Sequence, residues 1–244
     1  MRLFFPARRL PTAYCLLPTR LPTAHCLLPT RLASAKVELS KRFTRQGIDS
    51  FLRRELRSVS GRVLDLGAGL QPFAELLPPR TVALDHRSRP GLHLVADAHR
   101  LPFKDETFDA VVCTEVFEHL IDPPTAAREI IRVLKPGGRL ALTTRFCFPL
   151  HERPADFWRF TPYTLARLFA PLEPVVLPQH SAYRTLLVLL VRLVMEPTPL
   201  NRLIAPPVLA LCGLLWGLEP VANRILPSDS ISSGYLVSGQ KPTS

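Results

Sequence analysis

The chain has no C-x-x-C pair, no Cys/His cluster at metal-binding spacing, and no uncharged run of the ~20 residues a bilayer crossing needs. Its five cysteines, Cys15, Cys26, Cys113, Cys147 and Cys212, are odd in number and scattered over 244 residues. That usage argues against a disulfide framework and fits a reducing, cytoplasmic setting. Acidic residues are scarce at one end only. Residues 1–60 hold 12 Lys/Arg against 3 Asp/Glu, whereas residues 61–244 hold 19 against 17. The net charge of +11 therefore sits in the N-terminal quarter. The body is near neutral and lacks a broad basic face for phosphate backbones, so no nucleic-acid partner is expected.

Residues 9–19, RLPTAYCLLPT, recur as residues 20–30, RLPTAHCLLPT, with Tyr14 exchanged for His25. An eleven-residue period suits a helix in principle. Here Pro11, Pro18, Pro22 and Pro29 each remove a backbone donor and forbid one. Six basic and no acidic residues precede Val37, the bias of a targeting segment. A secretory segment needs an unbroken apolar run of roughly 7–15 residues, and prolines interrupt each candidate. The expectation is that residues 1–36 are a translated repeat outside the working fold. Order would begin near Val37, where VELSKRFTRQGIDSFLRREL turns helical.

From Arg62 the pattern alternates. RVLDL (62–66), TVALD (81–85), LHLVAD (92–97) and FDAVVCTE (108–115) are short apolar runs, as buried parallel strands should be. DPPTAAREIIRVLK (122–135) has an Asp cap, prolines in its first turn, and Ala127, Ile130, Ile131 and Leu134 as its stripe. KPGG (135–138) ends it and turns the chain into RLALTT (139–144). The fold class is α/β, with a doubly wound sheet. Ligands of such sheets sit at the carboxyl ends of the strands. Asp65, Asp85, Asp97 and Glu115 occupy successive strands there and are expected to face one crevice.

Gly67 and Gly69 after the first strand permit close backbone approach. A dinucleotide fingerprint needs a third glycine, and that place is Pro72. Asp85, 18 residues beyond Gly67, suits two ribose hydroxyls. Adenosine without a pyrophosphate therefore fits better than NAD.

The ordered set VLDLGAG (63–69), ALD (83–85), ADAHRLPF (96–103), FDAVVCTEVFEHL (108–120) and REIIRVLKPGGRLALTT (128–144) resembles the class I S-adenosylmethionine-dependent methyltransferases, bacterial type 11 in particular. The resemblance implies a mostly parallel seven-stranded sheet with an antiparallel last strand, for which GYLVSGQKP (234–242) is the candidate. S-adenosylmethionine is then the implied cofactor. Asp65, Leu66, Gly67, Ala68 and Gly69 would lie beside its methionine part, and Asp85 would hold its ribose. His86, Asp97 and Ala98 would meet the adenine, and Glu115 would lie beneath the sulfonium.

Methyl transfer needs orientation more than side-chain chemistry. His119 and His151 are the candidate catalytic residues. In EVFEH, Glu115, Glu118 and His119 would share a helical face. They either cap the helix after the fourth strand or ligate a divalent metal, with His151 as a fourth ligand. The E-x-x-E-H spacing resembles that of metal-dependent small-RNA 3′-end methyltransferases and of quinone O-methyltransferases. No metal is the favoured expectation. FPLHERPADFWRFTPYTLARLF (148–169) supplies the acceptor loop, with His151, Asp156, Trp158 and Arg159 as rim residues or as plain packing. This loop resembles one in bacterial methyltransferases associated with cell-surface glycan synthesis.

The expected domains are a tail (1–36), a methyltransferase core (37–181), an apolar helical insertion (182–228), and the last strand and tail (229–244). The insertion's longest uncharged run, residues 203–218, has 16 residues, too few for a span. It either roofs the acceptor pocket or touches the inner face of a membrane through residues 184–226. The expected function is methyl transfer to an oxygen of a small-molecule, glycan or lipid-linked acceptor. The alternative is a catalytically silent binding or membrane-associated protein of the same fold.

Overall fold

The computed structural model describes residues 45, 47–196 and 198–243; the N-terminal repeat and residues 37–44 lie outside them. One seven-stranded sheet organises the chain. Its strands are β1 (Val63–Leu66), β2 (Thr81–Asp85), β3 (Leu94–Val95), β4 (Phe108–Thr114), β5 (Leu134–Arg145), β6 (Val175–Pro178) and β7 (Gly234–Gln240). They lie in the order β3-β2-β1-β4-β5-β7-β6. β7 runs antiparallel to both its neighbours and the other pairings are parallel. The chain order turns back between β1 and β4, and their carboxyl ends open the crevice expected of such a switch point.

Period-2 alternation divides the strand residues between two cores. Leu64, Leu66, Val111, Cys113, Leu140, Leu142 and Val237 face a cluster completed by α2 (Pro123–Val133) and α3 (Pro162–Leu168). Val63, Ala110, Val112, Ala141 and Leu236 face α1 (Ile48–Leu56). α1 presents Ile48, Phe51, Leu52 and Leu56, the i, i+3, i+4, i+8 stripe of an amphipathic helix.

The first turns of α2 and α3 are held by side-chain caps, Asp122 accepting from Thr125 N and Thr161 from Thr164 N. α2 ends at Val133, two residues short of the sequence expectation, and buries Ala126 and Val133 in place of Ile131 and Leu134. The reason is Lys135-Pro136-Gly137-Gly138. These residues run on as the start of a 12-residue β5, with a register shift opposite Phe108 and Ala110 and a positive φ at Gly137. β6 was not expected. It is four residues long, ends in proline and is largely exposed, so no alternation marks it.

Between β6 and β7 stand α4 (Ala182–Val194) and α5 (Pro199–Ile225). They form an antiparallel hairpin whose seam is Leu187, Val191, Val194, Ala205, Leu209 and Cys212. At 27 residues α5 outruns the 16 uncharged residues counted from sequence and is long and apolar enough to cross a membrane.

Candidate active site

The carboxyl ends of β1, β2, β3 and β4 enclose a crevice of about 600 Å³. The loop after β1 forms its floor. Gly67 and Ala68 both donate their N–H to Leu84 O, which folds the loop against the end of β2. Gly67 has φ +75°, and a Cβ there would meet Val116 Cγ2 at 2.2 Å, so only glycine fits. Gly69, with φ +54°, donates its N–H to Asp85 Oδ2 at 3.0 Å.

Asp85 is the organising acid. Its Oδ1 accepts from Arg87 N at 3.0 Å and meets His86 Nδ1 at 3.0 Å. Oδ2 takes only the Gly69 N–H, so one lone pair remains for a ligand hydroxyl. His86, Asp97, Ala98 and Glu115 also line the crevice, as does Leu66. Asp65 and Ala68 do not. Asp65 shares the α1-facing side of β1 with Val63 and is buried, and burial, reinforced by the charge of Asp85, pushes its carboxyl up to about 7. The four strand-end acids therefore split into three on the crevice and one behind it.

Sequence reasoning passed over His99. It receives the Asp122 N–H on Nε2 at 3.2 Å and contacts Asp97 through Nδ1, tying the third strand's end to the α2 cap. The His99 backbone N–H and ring hold Asp97 below the usual carboxylate range. Val95 and Ile121 add apolar wall, and Arg87 and Arg89 add positive charge. The signal was local: ADAHR follows a strand end, where crevice residues belong.

EVFEH does not form one helical face. Glu115 closes β4 with φ +59°, a conformation rare outside glycine and common at functional sites. Its Oε1 accepts from the Thr143 hydroxyl at 2.8 Å and its Oε2 pairs with Arg145 Nε. Only Phe117–His119 is helical, as a single 3-10 turn that drives Glu118 inward. Glu118 is wholly buried. Its Oε2 accepts from the Thr144 hydroxyl, while Oε1 has no hydrogen-bond partner among the described residues. Burial and the neighbouring Glu115 raise its carboxyl well above the ordinary range.

His119 lines the crevice. Its Nδ1 faces Ala155 O, and a carbonyl can only accept, so Nδ1 carries the proton and Nε2 keeps its lone pair. His151 stacks edge-on against it, ring centres 4.8 Å apart, with Nε2 3.9 Å from Glu118 Oε1. Burial depresses the His151 pKa. Glu118, His119 and His151 each offer a ligand atom within 4.8 Å of the others. Glu115, engaged by Arg145, is not part of that group.

The acceptor loop settles onto this cluster. Phe157 and Trp158 donate their backbone N–H groups to Glu118 O, and Trp158 Nε1 donates to Leu120 O. Asp156 takes a two-pronged contact from Arg159 at 2.6 and 2.8 Å and the His151 N–H at 2.9 Å. The expected rim residues His151, Asp156, Trp158 and Arg159 thus hold the loop together, and Glu152 and Ala155 are what it shows to the crevice.

A family model described as a methyltransferase domain matches residues 64–142. The chain carries a class I methyltransferase domain. A demethylmenaquinone methyltransferase of Streptomyces avermitilis is 35% identical over 56% of this chain and 65% of its own length. A ubiquinone/menaquinone biosynthesis C-methyltransferase of Pasteurella multocida is 33% identical over 38% of this chain and 34% of its own. The chain thus spans less than two thirds of the curated relatives it matches. The crystal structure of a Thermotoga maritima S-adenosylmethionine-dependent methyltransferase, a possible histamine N-methyltransferase, superposes with a TM-score of 0.52. It covers 85% of this chain and 96% of that one at 18% identity, a likeness of fold.

Proposed function

We propose that the chain transfers a methyl group from S-adenosylmethionine to a carbon of a quinone-type ring. The observation that carries the first half is the crevice itself. It has glycines on its floor, an acid with one acceptor site open at the end of β2, and no third glycine for a pyrophosphate. The ring carbon is supported by the names of the two relatives, and it displaces the oxygen acceptor that residues alone favoured.

The chemistry balances with few protein groups. A hydroxyl on the reduced ring gives its proton to His119 Nε2, and electron density moves onto the adjacent ring carbon. That carbon attacks the methyl group in line. The sulfur–carbon bond breaks with both electrons passing to sulfur, leaving S-adenosylhomocysteine. The displaced ring proton then departs and aromaticity returns. Ala155 O holds His119 in the accepting tautomer, and the pairing of Glu115 with Arg145 keeps a bare carboxylate from trapping the sulfonium.

The test is labelled methyl transfer to a reduced naphthoquinone unsubstituted beside its oxygen, with the product's bonding read by mass spectrometry and NMR. A new carbon–methyl bond is expected. An aryl methyl ether returns the acceptor to oxygen, and no incorporation despite calorimetric binding of S-adenosylhomocysteine overturns the quinone reading alone.

A further inference from the structure

A helix that rides on a globular protein in water carries a polar face. α5 has none over most of its length. From Leu203 to Ala222 every exposed or half-exposed residue is aliphatic, aromatic, proline or glycine. The single acid in that stretch, Glu219, is turned inward, where Arg184 Nε lies 2.7 Å away and the Ser181 hydroxyl donates to it. Leu203, Leu214, Leu218 and Val221 are each more than half exposed, and α4 adds Leu186 and Leu193. Only 22% of the most apolar part of α5 is buried within the protein, so this is not a core helix. A patch of this size on a soluble surface marks a contact.

Its edges say what covers it. Arg202 and Arg224 flank the apolar stretch, both exposed and neither in an ion pair among the described residues. They stand about 33 Å apart at 1.5 Å per residue. A second copy of the hairpin laid against the first, in either direction, would bring arginine against arginine. A surface of anionic lipid headgroups over hydrocarbon complements both features at once. We infer that the α4–α5 hairpin docks the chain on an anionic phospholipid bilayer, with its leucines in the acyl region and Arg202 and Arg224 at the headgroups. At 13 residues α4 is about 20 Å long, short of the ~30 Å hydrocarbon core, so the hairpin enters one leaflet and does not cross. Pro206, Pro207 and Pro220 inside α5 accord with a helix that neighbours lipid.

The hairpin also touches the acceptor loop, the Arg192 guanidinium lying 5.3 Å over the Phe148 ring. Docking would thus set that loop at the bilayer, where a quinone-type acceptor dissolves. This consequence rests on the proposed function, and the docking itself does not.

The full chain is floated with vesicles of phosphatidylcholine alone or mixed with phosphatidylglycerol, beside a Leu203→Asp/Leu214→Asp/Leu218→Asp variant and an Arg202→Glu/Arg224→Glu variant. Calorimetric binding of S-adenosylhomocysteine reports that each variant is folded and reads the cofactor site separately. The wild type should float with the anionic vesicles. The leucine variant should lose about tenfold or more of the bound fraction, and the arginine variant should lose binding to anionic vesicles only. A wild type that stays in solution, or a leucine variant that floats equally, overturns the inference. So does a leucine-dependent dimer in the ultracentrifuge without vesicle binding.

Discussion

Replacing Asp85 by Ala should weaken binding of S-adenosylhomocysteine by about 10- to 150-fold. The estimate follows from what the carboxylate already does. Oδ1 is filled by the Arg87 N–H and His86 Nδ1, and Oδ2 takes the Gly69 N–H, leaving one acceptor site. One ribose hydroxyl can therefore bond without rearrangement. A bond to a charged acceptor contributes about 1.5–3 kcal/mol, and each 1.4 kcal/mol is a factor of ten in Kd. The same substitution strips Gly69 of its partner, so part of the loss would come from a loosened loop. Calorimetry with a 2′,3′-dideoxy analogue separates the two, since it lacks the hydroxyls and registers only the loop. The gap between wild type and variant should shrink for that analogue. An unchanged Kd for the natural ligand, or an equal loss for both ligands, refutes the assignment of Asp85 to the ribose.

Three further expectations follow from the same site. His119→Ala should lower kcat by about 10²- to 10⁴-fold and leave the affinity for S-adenosylhomocysteine intact, with a chelator changing neither; a chelator-sensitive rate restored by zinc would transfer the role to a metal on Glu118, His119 and His151. Asp65 holds its proton to about pH 7 when folded against 3.8 for the free side chain, so its contribution to stability is full below pH 4 and lost as pH rises through 7. Asp65→Asn escapes that loss and should gain up to about 4 kcal/mol over wild type between pH 4 and pH 8 in urea unfolding, and a gap independent of pH would refute the burial of a titrating acid. Gly67→Ala forces a Cβ to 2.2 Å from Val116 Cγ2 and should cost about 1–3 kcal/mol, partly restored by Val116→Ala in a thermal melt; no rescue would deny that contact.

What the sequence disclosed and what it concealed divide along chain distance. Gly67, Gly69 and Asp85 were legible because strand, turn and acid are neighbours or one βαβ step apart, and their roles follow from strand-end geometry. Asp65 was misread although period 2 contained the answer, since a residue two from Val63 shares its face and must go inside. Glu118 was ambiguous for a different reason. Its burial depends on Thr144 and on His151, 26 and 33 residues downstream, and nothing in EVFEH specifies them. α5 was cut short for a like cause. Counting uncharged residues stops at Glu219, yet that acid is met by Arg184 and Ser181 across the hairpin and so continues the helix. A charge ends an apolar segment only where water is its partner, and the partner is a property of the fold. The same logic explains why the cofactor half of the site could be read and the acceptor half could not. The first is built within one run of the chain from Leu66 to Glu115, whereas the second is assembled from β4, the loop after β5 and a hairpin that begins at Ala182.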